Sequence, residues 1–162
     1  MPESFDLVAQ AIEGLFGLPC CRRRVGPTRR AISLGFGAER FHGNPTLVDS
    51  YRGEWEVGTY YAGWRIVQRG RVLCGSDDVV DSADELNERL AKIKIGRPIG
   101  IEMLSEFDVR IQLEDELHVD FLGTLGEDDE QVVHIFGPDD LYLEYVVTSG
   151  WEIGSSAEPA AR

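Results

Sequence analysis

Residues 107–122 run Phe-Asp-Val-Arg-Ile-Gln-Leu-Glu-Asp-Glu-Leu-His-Val-Asp-Phe-Leu, and this stretch decides the fold. Apolar residues alternate with polar ones on both sides of a central acidic triplet, which is the pattern of two strands joined by a tight turn. If Leu113 faces Leu117, the apolar side chains share one side of the sheet and Arg110 lies opposite Asp120 on the other. A register slipped by one residue would bury carboxylates, which is costly. The stretch therefore predicts an antiparallel hairpin with an Arg110–Asp120 pair.

Similar short runs occur before and after this hairpin, for example at 31–37, 54–59, 131–136 and 141–148. Short turns between consecutive strands favour antiparallel pairing over crossover helices. Two segments have helical spacing, one capped by Ser4 and one that begins after Ser82. In the second, Leu86, Leu90 and Ile93 form one apolar stripe. We predict an α+β fold, mainly an antiparallel sheet of about eight strands that could curl into a partial barrel, with two helices.

Length and composition predict one soluble domain over residues 1–154, followed by a flexible tail at 155–162. The 162 residues are 43% hydrophobic and 28% charged, which is typical of a globular chain. No apolar run is long enough to cross a bilayer, and the acidic start is unlike a secretory signal. Cys20 and Cys21 are adjacent, which suits neither a disulfide framework nor a metal site. We therefore expect reduced thiols and a cytoplasmic location.

The charge of the chain is divided unevenly along its length. Residues 1–75 carry 10 Lys+Arg against 7 Asp+Glu, and residues 76–162 carry 6 against 22, which together give the net charge of −13. An acidic surface repels nucleic acid and anionic membranes and attracts basic proteins. These numbers predict neither a nucleic-acid nor a membrane partner, and they favour a basic protein.

Candidate catalytic groups are sparse. Cys74 with His118 or His134 and Asp120 would make a nucleophilic set if the fold brought them together, but the apolar run around Cys74 favours a buried thiol. The acidic clusters lack the alternating ligands and glycine of a calcium loop, so we predict no metal and no cofactor. Five arginines within residues 22–30 could bind phosphate. In an acidic chain, however, arginines more often form ion pairs with carboxylates of the same chain.

The aromatic turn at residues 60–64, Tyr-Tyr-Ala-Gly-Trp, is the best candidate for a binding surface, because hairpin turns are usually polar. Interfaces use aromatic anchors with charged rims, although Trp64 and one tyrosine could instead close the core. Combined with two acidic turns, at residues 114–116 and 127–130, it predicts a site for a basic partner. The predicted partner-binding residues are Tyr60, Tyr61, Trp64, Asp115, Glu116, Asp128 and Asp129.

The chain resembles small uncharacterised acidic bacterial proteins, some of which are encoded beside polymorphic toxins and are presumed immunity proteins. Five segments carry the resemblance: 53–61, 64–67, 73–76, 134–138 and 150–153. It implies inhibition by occlusion, in which an acidic domain covers a cationic toxin surface.

We therefore predict a non-enzymatic acidic protein-binding domain. One alternative is a small-molecule-binding or hydrolytic domain, with a pocket near the loop at 38–53 and His42 or His134 as its polar group. Another is a structural homodimer.

Overall fold

The protein is described from a computed structural model, which describes residues 3–41, 51–125 and 130–157. The two helices are α1 (Phe5–Ala11) and α2 (Ala83–Ala91), with a single 3₁₀ turn at Glu13–Leu15. The strands are β1 (Cys20–Val25), β2 (Ile32–Phe41), β3 (Tyr51–Thr59), β4 (Gly63–Gln68), β5 (Arg71–Gly75), β6 (Pro98–Met103), β7 (Asp108–Leu113), β8 (Leu117–Leu122), β9 (Gln131–Phe136), β10 (Leu141–Val146) and β11 (Gly150–Ser155).

The strands form two antiparallel sheets, not one. The six-stranded sheet has the order β1-β2-β3-β9-β10-β11 and the five-stranded sheet has the order β5-β4-β8-β7-β6. The α+β class is confirmed, but the number of about eight strands is wrong, and the described residues form no closed barrel. All five strands of the five-stranded sheet come from one continuous segment, which separates the two halves of the six-stranded sheet.

The central hairpin has the predicted register. Leu113 pairs with Leu117 and Arg110 pairs with Asp120 across β7 and β8. The same register also brings together Ile111 with Val119, Val109 with Phe121, and Gln112 with His118. The alternation therefore works as expected, since the apolar members are buried in the core and most of the polar ones lie on the opposite side.

The N-terminal segment contacts the outermost strand of each sheet. The Ser4 hydroxyl caps α1 by accepting a hydrogen bond from the Leu7 amide at 3.3 Å, as predicted. Glu3 forms a bridge with Trp151 in β11, and the Gly17 amide donates to the Pro98 carbonyl of β6 at 2.9 Å. The apolar side of α1 and the 3₁₀ turn is buried in the core through Val8, Ile12 and Leu15.

The second helix lies beside the outer strand β1. Ser82 caps α2 by accepting from the Glu85 amide at 3.4 Å, and Leu86 and Leu90 are fully buried, as predicted. The Asn87 amide meets the exposed edge of β1: its oxygen accepts from the Val25 amide at 2.8 Å and its nitrogen donates to the Val25 carbonyl at 2.9 Å. Asn87 thus makes the hydrogen bonds that a neighbouring strand would make.

Four of the five arginines in the segment at 22–30 bind groups of this chain. β1 was not predicted, because the run of arginines hides its strand pattern. The side chains of Arg22 and Arg30 pair with Glu39 and Asp77, both carboxylates of this chain. Other arginines donate to backbone carbonyls, Arg23 to Leu90 and Ile93, and Arg29 to Val80.

Two further expectations concern a loop and the C-terminus, and a third concerns membrane spans. The predicted loop at 38–53 is shorter, since β2 continues to Phe41 and β3 begins at Tyr51; His42 lies outside the described residues. The predicted tail at 155–162 overlaps β11, which ends at Ser155. Among the described residues, no helix has the length and apolar character needed to span a bilayer.

Candidate functional site

The aromatic turn connects the two sheets. β3 ends at Thr59 in the six-stranded sheet, and β4 begins at Gly63 in the five-stranded sheet. The Ala62 amide donates to the Thr59 hydroxyl at 3.2 Å and so fixes the turn. Tyr60 and Tyr61 are 50% and 62% exposed. Large aromatic side chains held this open to solvent by a short connection are typical of binding surfaces.

Trp64 has a different role from the two tyrosines. It is the second residue of β4 and only 1% exposed, and it belongs to the core. Of the two interpretations that the sequence left open for this residue, core closure applies. The surface offered by the turn therefore consists of Tyr60 and Tyr61.

The acidic segment, residues 123–130, contains the second acidic turn, and both of its described ends adjoin the aromatic turn. β8 ends where Leu122 pairs with Gly63, and the Thr59 hydroxyl donates to the Gln131 carbonyl at 3.5 Å. Of the segment between, Leu125 is 72% exposed and Glu130 is also exposed. Asp128 and Asp129 lie outside the described residues. The structure thus places both described ends of the acidic segment next to the tyrosines.

Asp115 and Glu116 lie at the other end of the five-stranded sheet. Their turn precedes Leu117, which pairs with Gln68 at the far end of β4. A strand rises roughly 3.3 Å per residue, so the six-residue strand β4 separates this turn from the tyrosines by about 16 Å. Glu116 also pairs with Arg69 at 3.1 Å. The structure does not bring the two parts of the predicted site together.

Tyr60 lies at one end of a row of aromatic rings on the side of the six-stranded sheet that faces away from the core. The ring centres of Tyr60 and His134 are 4.5 Å apart, and those of His134 and Phe136 are 5.2 Å apart. The row continues to Tyr142, whose ring centre is 4.9 Å from that of Phe136. His134 is only 3% exposed, although it carries two polar nitrogens.

A chain of hydrogen bonds holds the buried histidine. His134 Nδ1 is 2.6 Å from the side-chain oxygen of Gln131. The Gln131 amide nitrogen donates to the Glu144 carboxylate and to the Tyr142 hydroxyl, both at 2.7 Å. A sequence signal existed for this cluster, because His134 interrupts the otherwise apolar run 132–136. Its polar partners, however, come partly from another strand.

The same side of the sheet buries a second carboxylate, that of Glu56. It accepts from the Ser33 hydroxyl, and from the Gly53 amide at 2.5 Å. Glycine at position 35 makes room for it, since a Cβ there would lie 2.8 Å from a Glu56 carboxylate oxygen. A buried carboxylate costs free energy unless hydrogen bonds compensate it, and Glu56 has those bonds.

His134 is unsuited to acid–base catalysis near neutral pH. Burial lowers the pKa of His134 to about 4, and the nearby charge of Glu144 offsets this only partly. An efficient catalytic base has a pKa close to the working pH. His134 is neutral at pH 7, and one of its nitrogens is already bonded to Gln131.

The predicted nucleophilic set does not assemble. Asp120 is fully buried on the outer side of the five-stranded sheet, between Arg110, His118 and Arg65. Cys74 pairs with Ile66 on the core side of that sheet, and His134 lies in the other sheet. Burial raises the pKa of the Cys74 thiol to about 12, so its reactive thiolate is scarce.

Several carboxylates of the acidic half pair with arginines of this chain, and three of those arginines, Arg30, Arg65 and Arg69, belong to residues 1–75. Pairing with arginines involves Asp77, Asp78, Glu85, Glu116 and Asp120. Two surface cavities adjoin α2, with volumes of about 630 and 380 Å³. Neither is lined by His134 or by the tyrosines. In the described part of the chain, no cluster of metal-ligating side chains is present.

Comparison of this chain with protein-family models, with curated proteins and with solved structures finds no match.

Proposed function

We propose that this chain is a non-enzymatic protein-binding domain whose partner is a basic protein. The observation that carries the proposal is the position of Tyr60 and Tyr61, exposed on the connection between the sheets and flanked by both described ends of the acidic segment. Tyrosines supply contact area at low conformational cost, and acidic residues around them speed the encounter with a cationic surface.

This surface is suited to inhibition by occlusion, in which the domain covers the surface of its partner. A partner such as a cationic toxin would be drawn by the charge and held by the tyrosines, so that its own working surface is covered. The resemblance to presumed immunity proteins agrees with this mechanism. Support against an enzymatic role comes from the buried, neutral His134, the core-facing Cys74 and the paired Asp120.

Site-specific photo-crosslinking in the cells that produce this chain tests the proposal. A photoreactive benzophenone amino acid replaces Tyr61 in one variant and the exposed Glu88 of α2 in a matched control. We expect the variant at position 61 to form an adduct with a basic protein that the variant at position 88 does not form. Identical adducts from both positions, no adduct, or an adduct between two copies of this chain would refute the proposal.

The role of the acidic segment is tested with the partner so identified. The double substitution Asp128→Lys and Asp129→Lys should lower the association rate constant and its dependence on salt, because steering by charge acts on association. The control, Glu13→Lys with Glu88→Lys, changes the net charge equally at exposed positions on other elements. Equal effects of the two double variants would show that total charge matters and the segment does not.

A further inference from the structure

Tyr60 depends on His134 for its position. The turn at residues 60–62 is short, and the inner side of the Tyr60 ring lies against the imidazole at 4.5 Å between ring centres. Tyr61 is the other ring neighbour, at 6.3 Å, and it is itself mostly exposed. The buried imidazole is therefore the nearer of the two rings that contact Tyr60.

The hydrogen bonds determine which nitrogen of His134 carries the proton. Because the Gln131 amide nitrogen donates to Glu144 and Tyr142, its oxygen must face His134 and accept from Nδ1. Nδ1 is then the protonated nitrogen, and any further proton must bind Nε2. Nε2 lies above the backbone of Gly58, 3.2 Å from where a Cβ would be.

If His134 bound a second proton, the new N–H group at Nε2 would have no hydrogen-bond acceptor among the residues that the structure describes. Among residues 3–41, 51–125 and 130–157, no hydrogen bond to Nε2 is present. The charged groups on this side of the sheet include Glu56 of β3 and Glu144 of β10, and the pairing register also places Arg22 and Arg24 of β1 and Glu152 of β11 there. Glu56 is bonded to Ser33 and Gly53, and Glu144 to Gln131 and Tyr142. A buried, unpaired N–H on a cation is costly, so the imidazolium must move toward water.

We propose that His134 is a positioning residue that holds Tyr60 in its docking orientation, and that protonation of the imidazole releases Tyr60. The binding surface is then sensitive to acid. At pH 7 the imidazole is neutral and the stack is intact. Since burial lowers the pKa of His134 to about 4, release occurs near that pH. The consequence for binding rests on the proposed function, whereas the release of Tyr60 is measurable without a partner.

Fluorine NMR of the full chain labelled with 3-fluorotyrosine tests the release. The chain has five tyrosines, and the resonances of Tyr60 and Tyr61 are assigned from the variants Tyr60→Phe and Tyr61→Phe. We expect the Tyr60 resonance to titrate with a midpoint near pH 4, together with the His134 ring protons. A soluble nitroxide should broaden that resonance more strongly below the midpoint, while Tyr61 changes little.

The variant His134→Phe distinguishes the effect of protonating the imidazole from the effect of protonating carboxylates, which also occurs in acid. It keeps an aromatic ring under Tyr60 but cannot take a proton, so the Tyr60 titration should disappear. Persistence of the titration in that variant would overturn the proposal, as would a Tyr60 resonance that stays constant while the wild-type His134 ring protons titrate. Circular dichroism over the same pH range must show a folded chain, because global unfolding with the same midpoint also contradicts a local release. If the variant does not fold, the proposal is still tested in the wild type, by comparing the titration of the Tyr60 resonance with that of the His134 ring protons.

Discussion

Replacing Asp120 with asparagine should destabilise the protein substantially. The carboxylate is fully buried and accepts from Arg110 Nε at 2.7 Å, from Arg110 Nη2 at 3.1 Å, and lies 3.0 Å from His118 Nδ1. An asparagine of the same shape carries no charge and turns one acceptor into a donor that faces a guanidinium. The central acceptor of this hydrogen-bonded network is therefore lost.

The size of the expected loss of stability depends on how exposed the arginine partners of Asp120 are. Removing one member of a buried ion pair costs about 3–5 kcal/mol. The side chains of Arg110 and Arg65 are 27% and 49% exposed, so water replaces part of the lost interaction. We therefore expect the free energy of unfolding to fall by about 2–3 kcal/mol for Asp120→Asn.

Equilibrium unfolding in urea at pH 7, followed by tryptophan fluorescence, measures this loss. The matched control is Glu102→Gln on the same side of the sheet, where an exposed carboxylate accepts from the Gln112 amide at 3.1 Å; it should cost at most about 0.5 kcal/mol. A loss below about 1 kcal/mol for Asp120→Asn, or equal losses for both variants, would refute the reasoning. A double-mutant cycle with Arg110→Met should give a coupling free energy of about 1 kcal/mol or more.

Two further substitutions test the sheets. Asn87→Ala removes both hydrogen bonds to the backbone of Val25 and should lower the free energy of unfolding by about 1–2 kcal/mol. The same variant uncovers the edge of β1, so light scattering should show more self-association than in the wild type. Gly58→Ala places a Cβ 2.1 Å from the Ile32 carbonyl oxygen, which forces β2 and β3 apart. We expect a loss of more than about 3 kcal/mol or failure to fold, whereas Gly154→Ala, with no atom within 4 Å of its Cβ, should change thermal stability little.

Local patterns account for what the sequence predicted correctly. The hairpin of β7 and β8 contains its own turn, its alternation and its charge pair within sixteen residues. The helix after Ser82 contains its own cap and apolar stripe. In both cases the residues that determine the structure are close together in the sequence, so no knowledge of distant neighbours is needed.

The division into two sheets depends on distant pairings, and the sequence alone could not provide them. β3 pairs with β9, which brings Gly58 opposite His134 from the far half of the chain. β1 was missed because its run of arginines hides the strand pattern, and its outer edge is completed by a distant residue, Asn87 of α2. Neither partner can be inferred from spacing or periodicity.

The candidate site was predicted in part. Tyr60 and Tyr61 were identified from an unusual aromatic turn, and both are exposed. The burial of Trp64 depends on the point at which β4 begins, since a shift of one residue would turn it outward. The cluster around His134 was not recognised, because its hydrogen bonds join β9 to β10 in a register that the sequence does not specify.

The nested arrangement of the sheets has a consequence for synthesis on the ribosome. The five-stranded sheet is encoded by a continuous stretch between Gly63 and Leu122, so a nascent chain can assemble it early. β3 must wait for β9 to emerge, and until then one side of a completed β2–β3 pair has no partner strand. The interval between the translation of these two strands is the period in which the growing polypeptide is most exposed to aggregation and most dependent on chaperones.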